Sequence, residues 1–414
     1  MQLLTPVNAS EREQFLDLLR GFAILGIFIA NLHGFSWYSP GIAPGSPYVS
    51  DWDSNMQFLH FLFIEGKFYS IFSLLFGWGI ALQFKRAADK GINALPLVRR
   101  RLLFMLLLGG IHLVLWPGDI VFLYAMLGFI LLPLRKLSNK TLVILGVLLT
   151  LSPILLYAAK MHWSWVNIPS DLLFEAGSSL DKKMLPVPVN SQEDIVNYLA
   201  RANWWETLKA NVPGALHRYS YLFFVSRIPK VLGIFLIGYA LGRSGFYKKA
   251  LQQKKILLFI IAGGLIIGLP ANYLLARYMS ENMADYFRLM PNGLRKTVAY
   301  SIGVLPLSLA YAGILALLFQ QNTGKKLLSV FSPVGKMAFS NYVFQTFVGS
   351  FVFLGAGLGY IARVGPVYYT LFGIIIFLLQ VVLSHLWLKK FYFGPIEWLW
   401  RSATYQKWQP FRRQ

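Results

Sequence analysis

Four polar side chains interrupt a long apolar stretch near the start of the chain. Residues 15–35 read FLDLLRGFAILGIFIANLHGF and contain Asp17, Arg20, Asn31 and His33. A charge inside a bilayer costs on the order of a few kcal/mol, so such residues are first considered as functional. At about 100° per residue, three of them (Asp17, Arg20 and Asn31) fall on one helical stripe roughly 20 Å long. We therefore predict a polar path along this helix.

A second set of polar residues precedes and enters the next apolar stretch. Asp53, His60 and Lys67 are spaced seven residues apart, which returns a helix to nearly the same face. We predict a continuous helix over 58–83 with a second polar stripe, and Asp51 in the loop beside it. In the alternative interpretation, Lys67 is neutralised by a carboxylate and only fixes helix packing.

The third polar pair lies at a predicted helical hairpin. His112 and Asp119 are again seven residues apart, but Trp116-Pro117-Gly118 separates them. Asp119 is well placed to cap the following helix, because a carboxylate accepts hydrogen bonds from free N–H groups there. His112 is then either a packing residue or a general base.

Together these residues could do acid–base chemistry near one face of the membrane. A histidine supplies a general base, a carboxylate orients it, and cations or an amide stabilise developing negative charge. The candidates for catalysis are His33, His60, His112, Asp53 and Asn31, and those for substrate binding are Asp51, Asp119, Arg227 and Lys230. No HxH or HxxxH spacing is present, so we expect no metal site.

The composition is that of a membrane protein. The chain has 414 residues, of which 56% are hydrophobic and only 14% charged, with a mean hydropathy of +0.53. A soluble domain carries about 25% charged residues. The net charge of +22 is explained by basic cytoplasmic loops, and we expect no nucleic-acid partner. The absence of cysteine excludes thiol catalysis and disulfides.

Apolar stretches of about 20 residues predict membrane spans. We read ten of them, at 15–36, 58–83, 99–116, 119–134, 139–158, 219–242, 255–276, 297–319, 335–357 and 366–388. Lys and Arg accumulate in alternate loops, which places both termini in the cytoplasm. The sequence thus predicts an all-α polytopic membrane protein with about ten transmembrane helices.

One long extramembrane segment divides the chain. We predict an N-terminal five-span half at 1–158, an extracytoplasmic loop with an interfacial helix at 159–218, and a C-terminal five-span half with a basic cytoplasmic tail at 219–414. Ser191 with Asp194 suits the start of that helix. Trp204 and Trp205 suit a membrane–water interface.

Cations on the predicted cytoplasmic side could bind the phosphates of a donor molecule. We assign this role to Arg20, Lys67, Arg99, Arg100 and Arg101. In the alternative interpretation they reflect only the positive-inside rule and contacts with anionic lipids. The sequence contains neither a Walker motif nor a dinucleotide-binding glycine motif.

Several segments resemble a bacterial family over nearly the whole chain. They are LDLLRGFAILGIFIAN, EGKFYSIFSLLFGWGIAL, RRRLLFMLLLGGIHLVLWPGDIVFLYAMLG, SPVGKMAFSNYVFQTFVGS and FGPIEWLWRSATYQKWQPFRR. In order, they resemble the YeiB-like inner-membrane proteins, whose C-terminal half is the domain of unknown function 418. The resemblance implies a multi-pass protein of the bacterial cytoplasmic (inner) membrane.

A more distant resemblance concerns membrane acyltransferases. In the third acyltransferase family, an arginine in the first span is followed by ten residues and a catalytic histidine. Here the same spacing leads from Arg20 to Asn31. The heparan-alpha-glucosaminide N-acetyltransferase family is similar in having Arg-Gly and asparagine at these positions, with its catalytic histidine in the following outer loop. This chain has SDWDSN in that loop and no histidine before His60.

These resemblances imply transfer of an acyl (acetyl) group from cytoplasmic acyl-CoA to a small-molecule or glycan acceptor at the outer face. The donor substrate is then acyl-CoA, with no metal and no bound prosthetic group. Two alternatives remain open: a small-molecule transporter or permease that uses the same polar stripes, and a membrane scaffold without catalysis. The lipid bilayer is the expected partner, and a homo-oligomer is left open.

Overall fold

The computed structural model describes residues 13–39, 46–189, 191–281 and 286–413. The predicted cytoplasmic N-terminus therefore lies outside the described residues. The regular elements of the described ranges are helices, which confirms the all-α fold. The first half contains α1 (Gln14–Ser36), α2 (Asp53–Phe63), α3 (Lys67–Asp89), α4 (Leu95–Leu115), α5 (Val121–Leu134), α6 (Asn139–His162), α7 (Ile168–Met184), α8 (Gln192–Leu199) and α9 (Trp204–Phe224). The second half contains α10 (Arg227–Ser244), α11 (Phe246–Gln252), α12 (Lys254–Glu281), α13 (Pro291–Phe319), α14 (Asn322–Leu328), α15 (Phe331–Lys336), α16 (Ala338–Phe353), α17 (Pro366–Lys390) and α18 (Pro395–Tyr405).

Six helical segments of the described chain are long and apolar enough to cross a membrane. They are α1, α2 with α3, α6, α12, α13 and α17, and the bent pair α9 and α10 makes a seventh if counted as one span. Three further predicted spans correspond to α4, which carries three arginines, to α5 with 14 residues and to α16 with 16 residues. The polytopic prediction is thus confirmed, whereas the count of ten, the sidedness of the termini and the division at 159–218 stay predictions.

Helix α1 lies in the centre of the bundle. Its most apolar part is 72% buried, whereas that of α12 is only 22% buried. Glycines allow α15 to approach it closely, because a Cβ atom at Gly335 would overlap the main-chain oxygen of Asp17, and one at Gly21 would overlap that of Phe331. The polar residues of α1 are therefore held among neighbouring helices.

The outer helices expose apolar side chains. Leu155 on α6 and Phe259 and Ile266 on α12 are 75%, 79% and 73% exposed. Exposing such a large apolar surface to water would be unfavourable, whereas the hydrocarbon tails of lipids solvate it. This surface is the one expected of a protein embedded in a bilayer.

Two helices predicted as continuous are broken. The helix over 58–83 is interrupted between α2 and α3, where Gly66 adopts a φ of +85°. The helix over 219–242 is interrupted between α9 and α10 with a bend of 71°, and Ser226 adopts a φ of +53°. Both breaks place helix ends, with their free N–H and C=O groups, inside the bundle.

The segment between α6 and α10 is also helical. Ser191 and Asp194 form the reciprocal capping box expected at the start of α8. The single predicted helix continuing through Trp204 and Trp205 is wrong, because α8 ends at Leu199 and a second capping box at Asn203 and Glu206 starts α9.

Candidate functional site

A cavity of about 250 Å³ opens at the end of the molecule that carries the basic loops. Its walls come from the first four turns of α1, from α3, from the first half of α4, from the start of α5, from α15 and α16, and from α18. The basic side chains that line it are Arg20, Arg86, Arg101, Lys336 and Arg401. We call this space the arginine cavity. Five cations around one mouth favour a ligand that carries several negative charges.

The mouth of the arginine cavity is held in place by specific contacts. Arg20 Nη1 lies 2.8 Å from Asp17 Oδ1 of the same helix. Arg101 stacks on Trp400, with its guanidinium carbon 4.2 Å from the ring centroid. The indole N–H of Trp400 donates to the main-chain oxygen of Arg101 at 2.9 Å. These contacts fix α18 against α4 and orient the cations.

Glu397 anchors α18 to α16. Its carboxylate accepts hydrogen bonds from the main-chain N–H groups of Phe339 (2.7 Å) and Ser340 (3.1 Å) and from the Ser340 hydroxyl (2.5 Å). Burial raises the pKa of the Glu397 carboxyl, although these hydrogen bonds oppose the rise. Glu397 is therefore an anchor of the cavity wall.

The deep part of the arginine cavity is apolar. The whole cavity follows α1 from Glu13 to Ile27, which is about 20 Å along a helix axis. Its inner end is lined by Ile27, Met105, Ile120, Val121 and Tyr342. A charged mouth with a deep apolar extension suits a ligand with an anionic head and an uncharged or acyl arm.

A histidine–carboxylate pair lies directly behind that inner end. His112 Nδ1 is 2.7 Å from Asp119 Oδ1, and His112 Nε2 is 2.9 Å from Thr346 Oγ1. The side chains of His112 and Asp119 are 2% and 0% exposed. The ring of Tyr342, which lines the cavity, lies 4.8 Å from the His112 ring, centroid to centroid. One aromatic layer thus separates the pair from the cavity.

The turn between α4 and α5 creates this pair. Trp116 ends α4 and Asp119 precedes α5, so the turn folds the carboxylate back beneath His112. Asp119 Oδ2 also accepts a hydrogen bond from the Phe122 N–H at 2.7 Å. The cap predicted for Asp119 is confirmed, and the same carboxylate orients His112.

A second polar cluster surrounds the break between α2 and α3. The rings of His33 and His60 lie 5.8 Å apart, and His33 Nδ1 is 3.5 Å from Tyr369 Oη. Both ring nitrogens of His60 are buried and have no hydrogen-bond partner in the described chain. Asn31 lies two residues before His33 on α1 and is partly buried.

The break corrects the predicted second stripe. Lys67 starts a new helix, and its ammonium donates to the main-chain oxygen of Phe61 at 2.6 Å, capping the end of α2. No carboxylate of the described residues lies within ion-pair distance of it. Glu65 instead pairs with Arg227 of α10 at 3.3 Å. Lys67 is buried and does not line the arginine cavity.

Comparisons with known proteins relate the chain to one family of uncharacterised proteins. Residues 241–407 match the family model described as "Protein of unknown function (DUF418)". The chain is 34% identical to the uncharacterized protein YxaH of Bacillus subtilis, over 100% of this chain and 99% of that protein. The chain belongs to the YeiB-like family. It is also 28% identical to the uncharacterized protein YeiB of Escherichia coli, over 95% of this chain and 96% of that protein. No solved structure matches.

The structure distributes the predicted site residues of this YeiB-like chain among several places. Arg20 and Arg101 line the arginine cavity, whereas Arg99 and Arg100 do not. His112 and Asp119 meet, but their contacts reach neither His33 nor His60. Within the described residues, His112 is the one predicted histidine that contacts a carboxylate.

The carboxylates of the predicted outer loop have different positions. Asp53 accepts hydrogen bonds from the N–H groups of Ser50 and Val367, both at 2.9 Å, so it joins the start of α2 to the start of α17. These contacts give Asp53 a structural role, and the catalytic role predicted for it stays a prediction. Asp51 is exposed. Arg227 and Lys230 line a separate small cavity.

Sequence reasoning about the YeiB-like chain missed several residues of the arginine cavity. Arg86 and Lys336 lie in the last turns of α3 and α15, and Arg401 lies within α18. The positive-inside rule already accounts for basic residues on this side, so nothing marked them individually. Trp400 lies in the predicted basic cytoplasmic tail, where nothing marked it individually. No sequence feature indicated a role for Thr346, because a threonine in an apolar helix commonly hydrogen-bonds to the backbone of its own helix.

Proposed function

We propose that this protein transfers an acyl group from acyl-CoA, bound in the arginine cavity at the cytoplasmic face of the bacterial inner membrane, to an acceptor on the outer side. One observation carries the proposal: the apolar end of a cation-lined cavity reaches Tyr342, and the His112–Asp119 pair lies against that ring. The phosphates of CoA suit the arginine mouth. The uncharged pantetheine arm suits the apolar interior.

The pair supports general-base chemistry. Asp119 accepts a hydrogen bond from Nδ1–H, which keeps that proton on Nδ1 and leaves the Nε2 lone pair of His112 available. This nitrogen, now facing Thr346, takes the proton of an acceptor hydroxyl or amine as the new acyl–oxygen or acyl–nitrogen bond forms. The carbon–sulfur bond of the thioester breaks, and the proton passes on to the CoA thiolate. Movement of the Tyr342 ring opens the way from the cavity to His112.

The arrangement favours acyl transfer over the passage of a whole solute. An open, channel-like permeation route requires polar cavities that join through the protein. The arginine cavity and the smaller cavity beside Arg227 share no lining residue. Asp53 and Lys67, which belonged to the predicted polar stripe, are engaged in capping helix ends. The resemblance to membrane acyltransferases suggests the class of acceptor, which is a small molecule or a glycan of the cell envelope.

The decisive experiment measures CoA binding and acyl turnover of the purified protein. We expect CoA to raise the unfolding temperature, and radiolabelled acetyl-CoA to be slowly hydrolysed without acceptor. His112→Gln is expected to keep CoA binding and lose hydrolysis by about 100-fold or more. His217→Gln is the matched control, because His217 pairs with Asp181 at the same 2.7 Å but does not line the arginine cavity. Absence of both stabilisation and hydrolysis in the unaltered protein rules the proposal out.

A further inference from the structure

The hydroxyl group of Tyr342 lies at the inner end of the arginine cavity. Tyr342 is 4% exposed and lines that end. Its hydroxyl lies near the main chain of Ile120, which lines the same end. Its ring lies against the ring of His112, with 4.8 Å between the two centroids. The hydroxyl is therefore placed where the uncharged arm of a donor bound in the cavity would end, next to the histidine–carboxylate pair.

This hydroxyl is buried and has no hydrogen-bond partner among the described residues. By contrast, the hydroxyl of the nearby Tyr124 is bonded to Ser73 and to the main-chain oxygen of Tyr69. Of the buried polar side-chain atoms that lack a partner in the described chain, the Tyr342 hydroxyl is the one that belongs to the lining of the arginine cavity. Buried donors are normally paired, so an unpaired donor in a cavity wall indicates that a ligand supplies the acceptor.

The surroundings of this hydroxyl restrict which ligand group it can meet. The other residues that line the inner end are Ile27, Met105, Ile120 and Val121, whose side chains carry no hydrogen-bond donor. A carbonyl oxygen that reaches this end therefore meets one side-chain donor among the described lining residues. The carbonyl of a thioester needs such a donor most during acyl transfer, because its oxygen becomes negatively charged when the carbonyl carbon is attacked.

Arg218 of α9 adds positive charge near Tyr342. The two side chains interact electrostatically, and Arg218 is partly buried. No carboxylate of the described residues forms an ion pair with Arg218, and its Nε atom is buried without a hydrogen-bond partner there. Its guanidinium carbon lies 5.6 Å from the centroid of the Tyr221 ring. A guanidinium without a bound carboxylate favours negative charge on a neighbouring ligand atom.

We propose that the Tyr342 hydroxyl donates the hydrogen bond that stabilises the oxyanion of acyl transfer, and that Arg218 is a positioning residue that supports it through its charge. The thioester oxygen takes up the electron pair of the C=O bond as the acceptor bonds to the carbonyl carbon. That pair re-forms the C=O bond when the carbon–sulfur bond breaks, so Tyr342 keeps its proton while His112 takes that of the acceptor. The hydrogen bond forms as the Tyr342 ring moves to open the way to His112. This inference rests on the proposed function.

Tyr342→Phe tests the hydroxyl, because it removes one oxygen and keeps the ring. We expect kcat for acetyl-CoA hydrolysis to fall by about 100-fold. CoA affinity should stay within about twofold, and the unfolding temperature should be unchanged or higher because an unpaired group is lost. Tyr124→Phe is the matched control with the opposite pattern: it removes a bonded hydroxyl outside the cavity lining, so it should lower the unfolding temperature and keep kcat. A normal kcat in folded Tyr342→Phe overturns the inference.

Arg218→Gln tests the supporting charge. We expect kcat to fall by about tenfold with KM for acetyl-CoA unchanged, since the charge acts on the oxyanion and not on the bound donor. Lys209→Gln removes an exposed cation from the same helix and should leave both constants within about twofold. Equal kcat values in Arg218→Gln and Lys209→Gln overturn the role of Arg218.

A binding measurement tests the same hydrogen bond without turnover. The probes are a ketone isostere of acetyl-CoA, in which CH₂ replaces the thioester sulfur, and S-ethyl-CoA, which lacks the carbonyl oxygen. By isothermal titration, the original chain should prefer the ketone by about fivefold, and Tyr342→Phe should bind both within about twofold. The same preference in both chains overturns the inference.

The two proposals fail in different ways. If the original chain hydrolyses acetyl-CoA and His112→Gln does not, a fully active Tyr342→Phe overturns the role of Tyr342 and leaves the proposed function in place. If CoA neither stabilises the original chain nor is released from acetyl-CoA by it, the proposed function fails and the oxyanion role fails with it.

Discussion

His112 Nδ1 and Asp119 Oδ1 are 2.7 Å apart across the turn that joins two membrane helices, and both side chains are excluded from solvent. The second carboxylate oxygen of Asp119 accepts a hydrogen bond from the Phe122 N–H at 2.7 Å. One carboxylate therefore performs two separable tasks. It starts α5, and it fixes the tautomer and orientation of the imidazole.

Asp119→Asn separates those two tasks. Asparagine is as good a helix cap as aspartate, so stability should change little. Its amide oxygen can still accept from Phe122, which leaves the NH₂ group facing His112 and forces Nδ1 to be an acceptor. Nε2 then carries the proton and cannot act as a base. We expect acyl turnover to fall by about 100- to 10,000-fold with an unchanged unfolding temperature. Turnover close to that of the original chain would exclude His112 as the base.

Arg101→Gln tests the arginine cavity as the CoA site. Arg101 lines the cavity and stacks on Trp400, whereas the neighbouring Arg99 is exposed and lies outside it. A charge-assisted hydrogen bond to phosphate accounts for about 10- to 100-fold in affinity, so CoA binding should weaken by that factor in Arg101→Gln. Arg99→Gln changes the net charge equally and should bind CoA normally. Isothermal titration in detergent measures both, and equal weakening would indicate a general charge effect instead.

The buried carboxyl of Glu397 predicts a pH dependence of stability. Its pKa is raised in the folded protein by burial, so the folded state binds this proton more tightly than the unfolded state does. The stability that it contributes is present at low pH and is lost as the pH rises from about 4.5 through the folded pKa. Glu397→Gln keeps an acceptor for Phe339 and Ser340 without the charge. Its unfolding temperature should therefore decline less than that of the original chain between about pH 4.5 and 8. Identical pH profiles would contradict this assignment.

Sequence patterns predicted the local features of this protein better than the assembly of its site. The all-α fold, the hairpin at Trp116, the Asp119 cap and the Ser191 capping box all depend on nearby residues, and all are confirmed. Asn341 and Gln345 bond to Ser384 and Gln380 of α17, as polar amides on membrane helices commonly do. In each case the side-chain chemistry required a partner at short range or on the next helix.

The failures of sequence reasoning have a common physical cause. Helical periodicity assumes an unbroken helix, and Gly66 and Ser226 break two of them through positive φ angles that composition alone did not reveal. Lys67 therefore caps α2 instead of continuing a stripe. Which cations share a cavity depends on tertiary packing, so Arg86 and Arg401 could not be distinguished from Arg99.

Gly66→Ala is expected to destabilise the break that positions Glu65 and Lys67. Gly66 has a φ of +85°, and an added Cβ would lie 2.8 Å from the Tyr300 hydroxyl oxygen. Backbone strain and overpacking together should cost about 2–4 kcal/mol of unfolding free energy. Gly91 has a φ of +66° with nothing within 4 Å, so Gly91→Ala should show the strain alone, about 1–2 kcal/mol. Unfolding by titration with a denaturing detergent compares them, and equal losses would show that the Tyr300 contact is not tight.

His60→Leu distinguishes a packing histidine from a catalytic one. His60 is 3% exposed, and neither ring nitrogen has a hydrogen-bond partner in the described chain. Replacing a buried unsatisfied polar group by an apolar one of similar size should leave stability unchanged or raise it by up to about 2 kcal/mol. His112→Leu should instead cost about 2–3 kcal/mol, because Asp119 and Thr346 lose their partner.

Acyl turnover completes the comparison of these two histidines. If His112 is the base, His60→Leu retains turnover within about threefold, since it removes no group that touches the reacting atoms. If turnover disappears in His60→Leu while the fold remains stable, the chemistry belongs to the His33–His60 pair. The two unpartnered nitrogens of His60 would then be available to accept a proton from the substrate. The His112–Asp119 pair would have only a structural role, joining α4, α5 and α16.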